Sequence, residues 1–361
     1  MKKVGIITIT DNDNYGNRLQ NYALQEVIKS YRFDVETIKN NSLFNNKLNG
    51  VHKIVALIKN IKRNFELQIK RKTKIKKRYK SFCEFNSNIQ TTKQSFSHKK
   101  NNNKYDYLII GSDQVWNPTF GRLSDFELGN FNTTATKISY AASFGISQLP
   151  ETYKTKAKNA FKEFNNISVR EDAGKNIVEE LTDRKDVQVL IDPTMMLTSD
   201  EWNKVSKRPT QLEEGKRYIL NYFLGELSVE RKNEIERIAK ENSCEVINIL
   251  DKKSPFYQTG PSEFLYLEKN AFLICTDSFH SCVFAMLYNR PFVIFDREEN
   301  VVSMNSRIDT LLSKFNLKNR KFNKTITKEN LNHDYTEAYR ILEEERKKSI
   351  QFLETALNIK E

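Results

Sequence analysis

A chain of 361 residues exceeds the ~250–300 at which a single core stops growing, so two domains are expected. With 38% hydrophobic residues, 23 Phe and 15 Tyr, there is apolar material for both cores, which excludes global disorder. The formal charge of +13 is uneven: residues 53–80 hold twelve Lys or Arg against one acid, Glu66, and with no recognition motif beside them nucleic acid is not an expected partner.

No stretch reaches the ~20 apolar residues of a membrane span, and the apolar run in "MKKVGIITIT" is short for a signal peptide. Cys83, Cys244, Cys275 and Cys282 form no CxxC pair and have no histidine at zinc-site spacing, so they read as small buried side chains and no metal is expected. These features point to a cytoplasmic protein.

In chain order, residues 4–10 read as a buried strand and 15–30 as a helix, with Leu19, Tyr22, Ala23 and Val27 at helical spacing; 33–38 is a second strand. Between the first strand and helix, "DNDNYGNRLQ" is rich in turn-forming, hydrogen-bonding side chains. Residues 51–82 form a basic helical pattern with Val51, Ile54, Val55, Ile58, Ile61 and Phe65 on one face. Such a helix can lie on an anionic membrane, giving peripheral contact with the inner face of the cell membrane, cover an anionic substrate, or pack as a solvated face.

"YDYLIIGSDQVWNP", "KISYAASFG", "NISVREDAGKNIVEEL" and "VQVLIDPTMML" each begin as a strand that closes on polar or small residues. The polar stretch 198–216 is a candidate linker. Beyond it the alternation restarts: strand 218–223, helix 229–242, strand 246–250, a helix opened by Gly260-Pro261, strand 271–275, helix 279–288 and strand 292–295. A charged helix over 332–359 is placed to cross back to the first domain. The fold class is therefore α/β, two Rossmann-like domains (1–197 and 217–331) facing across a cleft, with ligands beyond the carboxyl ends of the strands.

Those strand ends supply the candidate residues. "FLICTDSFHSC" puts Thr276, Asp277 and Ser278 in the loop after a strand and His280 in the first turn of the next helix, whose N-terminus suits a phosphate or carboxylate. Position alone equally allows Asp277 or Ser278 to be a helix cap and His280 a satisfied structural residue. Asn14, Asn17 and Arg18 follow the first strand, Ser112, Asp113 and Gln114 another, and Arg170 ends "NISVR"; each can also be a turn former, a cap or an ion-pair partner. Arg307 lies near a helix start, where a cation is unfavourable unless an anion offsets it. Asp113 and Glu263 are acids able to move a proton. The absence of GxxxxGK[ST], GxGxxG and GxSxG argues against nucleotide hydrolysis, standard dinucleotide binding and an α/β-hydrolase.

Taken in order, "GIITITDNDNYGNRLQNYALQ", "DYLIIGSDQVWNP", "SYAASFG", "SVREDAG", "IDPTMML", "TDSFHSCVFAMLYNRPFVIF" and "NSRIDTLL" resemble the polysaccharide pyruvyl transferase family over roughly residues 4–317. The resemblance implies a fold like that of GT-B glycosyltransferases and transfer of a pyruvyl group from phosphoenolpyruvate to two hydroxyls of a sugar, giving a cyclic ketal. It implies an acceptor belonging to capsule, exopolysaccharide or a cell-wall precursor, often lipid-linked, and no cofactor beyond the donor substrate. His280 matches the family's histidine; many members place an arginine where this chain has Ser278. On that basis His280, Asp113 and Asp277 are the expected catalytic residues, and Arg170, Arg307, Ser278 and Arg18 are expected to hold the donor. Asn14, Asn17, Gln114, Trp116 and Glu263 are expected to meet the acceptor. The competing readings are a glycosyltransferase using a nucleotide sugar on the same architecture, and a non-catalytic carbohydrate- or nucleic-acid-binding protein whose basic helix is the working surface.

Overall fold

The computed structural model describes residues 1–11, 13–39, 74–92, 104–131, 133–297 and 306–359. One sheet contains β1 (Lys3–Ile7), β2 (Asp34–Thr37), β3 (Tyr107–Gly111), β4 (Thr136–Ala142), β5 (Asn166–Val169) and β6 (Gln188–Val189) in the order β2-β1-β3-β4-β5-β6. A second contains β7 (Tyr218–Tyr222), β8 (Glu245–Asn248), β9 (Leu273–Thr276) and β10 (Phe292–Ile294) in the order β10-β9-β7-β8. Every pairing is parallel. Central strands such as β3 and β9 are buried throughout, which is why they read as unbroken apolar runs and not as alternating ones.

Among the described residues the helices are α1 (Tyr15–Ser30), α2 (Lys74–Asn86), α3 (Glu151–Phe161), α4 (Asp172–Thr182), α5 (Ser199–Asn203), α6 (Val229–Glu241), α7 (Pro261–Asn270), α8 (Phe279–Leu287), α9 (Ser306–Lys314), α10 (Lys328–Leu331) and α11 (Thr336–Ala356). In each sheet the chain leaves its first strand to one side and returns on the other, so the order reverses between β1 and β3 and again between β7 and β9. Those two reversals open crevices at the strands' carboxyl ends, where ligands bind in doubly wound sheets.

Helix α1 lies between the sheets, which explains why its polar residues are buried with its apolar ones. Gln20 Nε2 donates to Thr8 Oγ1 (2.8 Å), Gln25 Nε2 donates to Thr37 Oγ1 (2.8 Å), and Asn21 Oδ1 accepts from Thr37 Oγ1 (2.7 Å). The Tyr15 ring stacks on Phe264 of α7 at 4.6 Å. One apolar cluster runs through both halves, from Val4 and Leu19 to Leu220, Phe284 and Phe352.

The expected linker 198–216 is partly ordered structure. Thr198 and Glu201 form a capping box at α5, and Trp202 is buried with Nε1 donating to Thr194 O (3.1 Å). Of the expected basic helix, residues 51–73 lie outside the described residues, while 74–82 open α2. Cys275 and Cys282 are buried, but Cys83 is exposed and Cys244 half-buried. No helix among the described residues is long and apolar enough to cross a membrane.

Candidate functional site

A cavity of about 460 Å³ lies where the two crevices meet. Its wall comes from the loop after β1 (Ile9, Asp11), the start of α1 (Asn14, Asn17), the loop after β3 (Asp113, Gln114), the end of β7 (Tyr222) and the loop after it (Leu224), and the β9–α8 turn (Asp277 to His280), with Arg122, Arg297 and Arg307 added. The N-termini of α1 and α8 both open onto it, so two sets of helix-end N–H groups and two positive dipole ends share one space. Asn14 caps α1 by accepting from Asn17 N (3.2 Å), whereas no side chain caps α8.

The two helix ends meet at Gly16 and His280. A Cβ at residue 16 would lie 2.1 Å from His280 Nδ1, so only glycine lets the first turn of α1 come this close to the imidazole. The other side of the ring faces Asp192, with Nε2 3.7 Å from Oδ2, within ion-pair reach but beyond a hydrogen bond. Asp192 is buried at the end of the sixth-strand segment. It accepts from Arg170 Nη1 (2.7 Å), Ser112 Oγ (2.9 Å), Thr194 N (3.0 Å) and Thr194 Oγ1 (2.7 Å). Burial alone would raise its pKa; His280, Arg170 and the Thr194 N–H outweigh that and hold it well below the carboxylate range.

Asp113 sits at φ 61 in the turn after β3, a left-handed conformation that costs of order 1–3 kcal/mol and aims the carboxylate inward. Its Oδ1 accepts from Gln114 N (2.8 Å) and from Arg170 Nη2 (3.2 Å), and stands 3.9 Å from Arg307 Nη1. Burial pushes this carboxyl up, but Arg170, His280 and Arg307 together hold it below its ordinary value.

Arg307 is the least compensated cation in the wall. It is buried, its Nε has no partner among the described residues, and its nearest acid is Asp113, already bound to Arg170. Burial, then the like charge of Arg170, lower its pKa to about 10 despite Asp113. With its amide oxygen turned toward Arg307, Gln114 accepts from Nη2 (3.1 Å) and Nη1 (3.3 Å).

Several expectations are corrected here. Arg170 stands behind the wall, its Nη1 bound to Asp192, its Nη2 to Asp113 and its guanidinium 4.7 Å from the Phe279 ring centre, so it orients the two carboxylates and is not among the residues lining the cavity. Arg18 is buried behind the β1 loop with Nη2 donating to Ile9 O (2.5 Å). Asp277 is a clamp: Oδ1 accepts from Leu224 N (2.7 Å), and Oδ2 accepts from Gly225 N (2.8 Å) and Arg297 Nε (2.8 Å). Trp116 is core, its ring 4.8 Å from that of Phe161 and its Nε1 donating to Glu127 O (3.0 Å). Glu263 caps α7 by accepting from Gly260 N (3.0 Å) and is no part of the wall. His280, Asp113, Asp277, Ser278, Arg307, Asn14, Asn17 and Gln114 do line the cavity, Asp277 with both carboxylate oxygens engaged.

Arg122 and Arg297 were not anticipated. Arg297 follows β10, so the strand-end rule that picked out Asp113 would have found it; Arg122 lies beyond a turn and carries no such signal. Among the described residues no group of three or more His, Cys, Asp or Glu is arranged to hold a metal ion.

The family model for polysaccharide pyruvyl transferase matches residues 14–299, most of the chain. Comparison with curated protein sequences gives no match. Among solved structures, a UDP-N-acetylglucosamine 2-epimerase from Rickettsia bellii is similar over 99% of this chain and 97% of its own, at 11% identity and a TM-score of 0.50. A UDP-GlcNAc 2-epimerase from Methanocaldococcus jannaschii, solved with UDP-GlcNAc and UDP, is similar over 99% of this chain and 100% of its own, at 14% identity and a TM-score of 0.49. The Rickettsia likeness is one of fold alone: two Rossmann-like domains of the GT-B kind.

Proposed function

This chain belongs to the polysaccharide pyruvyl transferase family, and from that premise we propose that it moves the pyruvyl group of phosphoenolpyruvate onto two hydroxyls of a sugar, forming a cyclic ketal and releasing phosphate. The observation that supports this most is Arg307, a buried and under-compensated cation at a cavity onto which two helix N-termini open. Such a site calls for an anion, and the donor brings a carboxylate and a phosphate. Arg307 and the α8 N-terminus at Ser278 take those charges in this scheme.

The chemistry balances through one histidine. His280 gives a proton to the methylene carbon, leaving an oxocarbenium-like centre at the adjacent carbon, which the first sugar hydroxyl attacks while its proton returns to His280. The carbon–oxygen bond to phosphate then breaks, the second hydroxyl closes the ring, and its proton leaves with the phosphate. Asp192 lies behind the ring, its Oδ2 3.7 Å from Nε2, so an acid stands beside any positive charge the ring carries. Asp113, held ionised by Arg170, His280 and Arg307, orients an acceptor hydroxyl and is too weak a base to keep its proton.

The test is incubation of wild type and His280→Ala with phosphoenolpyruvate and a panel of free and lipid-linked sugars, following phosphate release and sugar mass. A sugar that gains a pyruvyl ketal with wild type only is the expected result. No ketal with any acceptor, together with no phosphoenolpyruvate binding by calorimetry, would remove the donor from the scheme.

A further inference from the structure

The inner part of the cavity answers to an anion, but its outer rim has a different character. Two large apolar side chains on that rim are open to solvent: Phe120 is 51% exposed and Leu224 is 46% exposed. A single exposed apolar residue is ordinary on a protein surface. Here, however, both belong to one cavity, one from the loop after β3 and the other from the loop after β7, the strands that flank the two crevices.

Both are also held in place by built turns. Phe120 ends the 3-10 turn Pro118–Phe120, which Asn117 caps by accepting from Thr119 N (2.9 Å) and Thr119 Oγ1 (2.7 Å). Gly121 closes that turn at φ 66, a left-handed position where glycine is unstrained. Leu224 is fixed through its own N–H, which donates to Asp277 Oδ1, and Asp277 is fixed in turn by Arg297. The Asp277 carboxylate thus acts as a positioning group for the rim. The same cavity is lined by Asp11 and Arg122, Asp11 Oδ1 standing 3.5 Å from Arg122 Nη2, while Arg122 Nη1 is 3.7 Å from Glu127.

An aromatic face, an aliphatic side chain, a carboxylate and a guanidinium lining one cavity match a ligand that is apolar on one face and hydroxylated at its edge. A pyranose ring has that form: its axial C–H bonds pack on the electron-rich face of an aromatic ring, and its hydroxyls reach charged side chains. We propose that Phe120 and Leu224 form the acceptor subsite and seat a hexopyranose by its C–H face, with Asp11 and Arg122 taking its outer hydroxyls. The inference rests on the pyruvyl-transfer reading for its second substrate, but its residues are independent of those that hold the donor.

The test therefore reads sugar and donor separately. Methyl pyranosides of glucose, galactose, mannose, N-acetylglucosamine and N-acetylmannosamine are probed by saturation-transfer NMR against wild type, Phe120→Ala, Phe120→Trp and Leu224→Ala, and phosphoenolpyruvate is titrated by calorimetry into each. At least one pyranoside is expected to receive saturation at the C–H protons of one ring face. Its dissociation constant should rise about five- to tenfold in Phe120→Ala and recover in Phe120→Trp, with donor affinity and melting temperature unchanged. A pyranoside that binds Phe120→Ala as well as it binds wild type, or no pyranoside binding at all while phosphoenolpyruvate binds, overturns the subsite and leaves the donor reading standing. Pyranoside binding that depends on Phe120 without phosphoenolpyruvate binding upholds the subsite and overturns the donor.

Discussion

Arg307 and Glu268 are both buried charges-in-waiting, and their settings ask opposite things of them. Removing the guanidinium in Arg307→Met takes away a cation whose nearest acid is already engaged, so the folded protein should lose little stability or gain some. Phosphoenolpyruvate affinity should fall about ten- to hundredfold, the range of a charge-assisted hydrogen bond or two. Calorimetric titration beside a thermal melt checks both, and a melt that drops steeply with donor binding intact would make Arg307 structural. Glu268 on α7 is wholly buried; Oε1 accepts from Ser281 Oγ (2.5 Å), and Oε2 has no partner among the described residues. Burial raises its pKa well above normal, against the lowering effect of the Ser281 hydrogen bond, so the folded chain holds this proton more tightly than the unfolded chain, where the group ionises above pH ~4.3. A raised folded pKa means that stability is lost as pH rises from that unfolded value toward the folded one, at up to ~1.4 kcal/mol per pH unit. Glu268→Gln should flatten that slope, its advantage over wild type growing as pH rises above the unfolded value in urea unfolding; a constant difference would show that Glu268 is not the titrating group. Strand-end logic made His280, Asp113 and Asn14 legible in the sequence because a parallel strand must deliver its next residues to the crevice. The same logic misplaced Trp116, since a loop of a few residues turns some side chains back into the core; Glu263, an acid in the first turn of α7 with no strand end behind it, turns onto the backbone at Gly260, and neighbours along the chain do not reveal either.

At the scale of elements, the most informative is α2. Its sequence is a run of basic residues, and charge counting treats Arg78 like the exposed Lys76, Lys77 and Lys80 around it. Arg78 is buried instead. Its Nη1 donates to Tyr15 Oη (2.5 Å), Tyr257 O (3.2 Å) and Thr259 O (3.3 Å), its Nη2 donates to Asp13 O (3.0 Å), and the rings of Tyr15, Phe82 and Tyr257 pack around the guanidinium at 4.7, 4.9 and 5.2 Å. Its partners stand up to 181 positions away in the chain, which is why no local pattern could single it out. The planar fork ties the loop before α1 to the segment before α7, so one side chain fixes the first turn of α1 relative to the second sheet. Arg78→Met should destabilise the protein by about 2–3 kcal/mol, leaving three carbonyls and a hydroxyl short of their donor. It should also raise hydrogen exchange at the first-turn amides of α1 while those of β4 and β5 stay protected. Uniform loss of protection, or none, would show that Arg78 does not act on that turn.

At the scale of the whole molecule, the two sheets are joined through apolar packing and a helix that returns across both. The predicted crossing helix spans Thr336–Ala356. Just before it, Tyr335 Oη donates to Arg290 O (2.9 Å), and within it Tyr339 Oη donates to Met286 O (2.7 Å), both on the side of the second sheet. Farther along, Arg346 Nε donates to Met195 O (2.7 Å) and Nη2 to Leu197 O (2.9 Å), and Tyr107 Oη donates to Leu357 O (2.7 Å), all on the side of the first sheet. The α/β alternation was legible because it follows from hydrophobic period, and so was a long charged helix at this end of the chain, though period alone does not say where that helix packs. The continuity of the core was not, since it depends on α1 being covered from both sides. A cavity walled by both sheets keeps its shape only if the sheets hold their relation, and α11 together with the shared cluster around Leu19, Phe284 and Phe352 supplies that restraint. Phe352→Ala removes a buried ring from the cluster, 6.4 Å from that of Tyr140, and should cost about 3–5 kcal/mol. Wild type should then unfold in one calorimetric transition, and the variant should lose amide protection in β7 and β9 as well as in β1 and β3. If protection falls in the first sheet alone, the helix stabilises one half only, and the cavity's shape must be held by the Arg78 and Tyr15 contacts beside it.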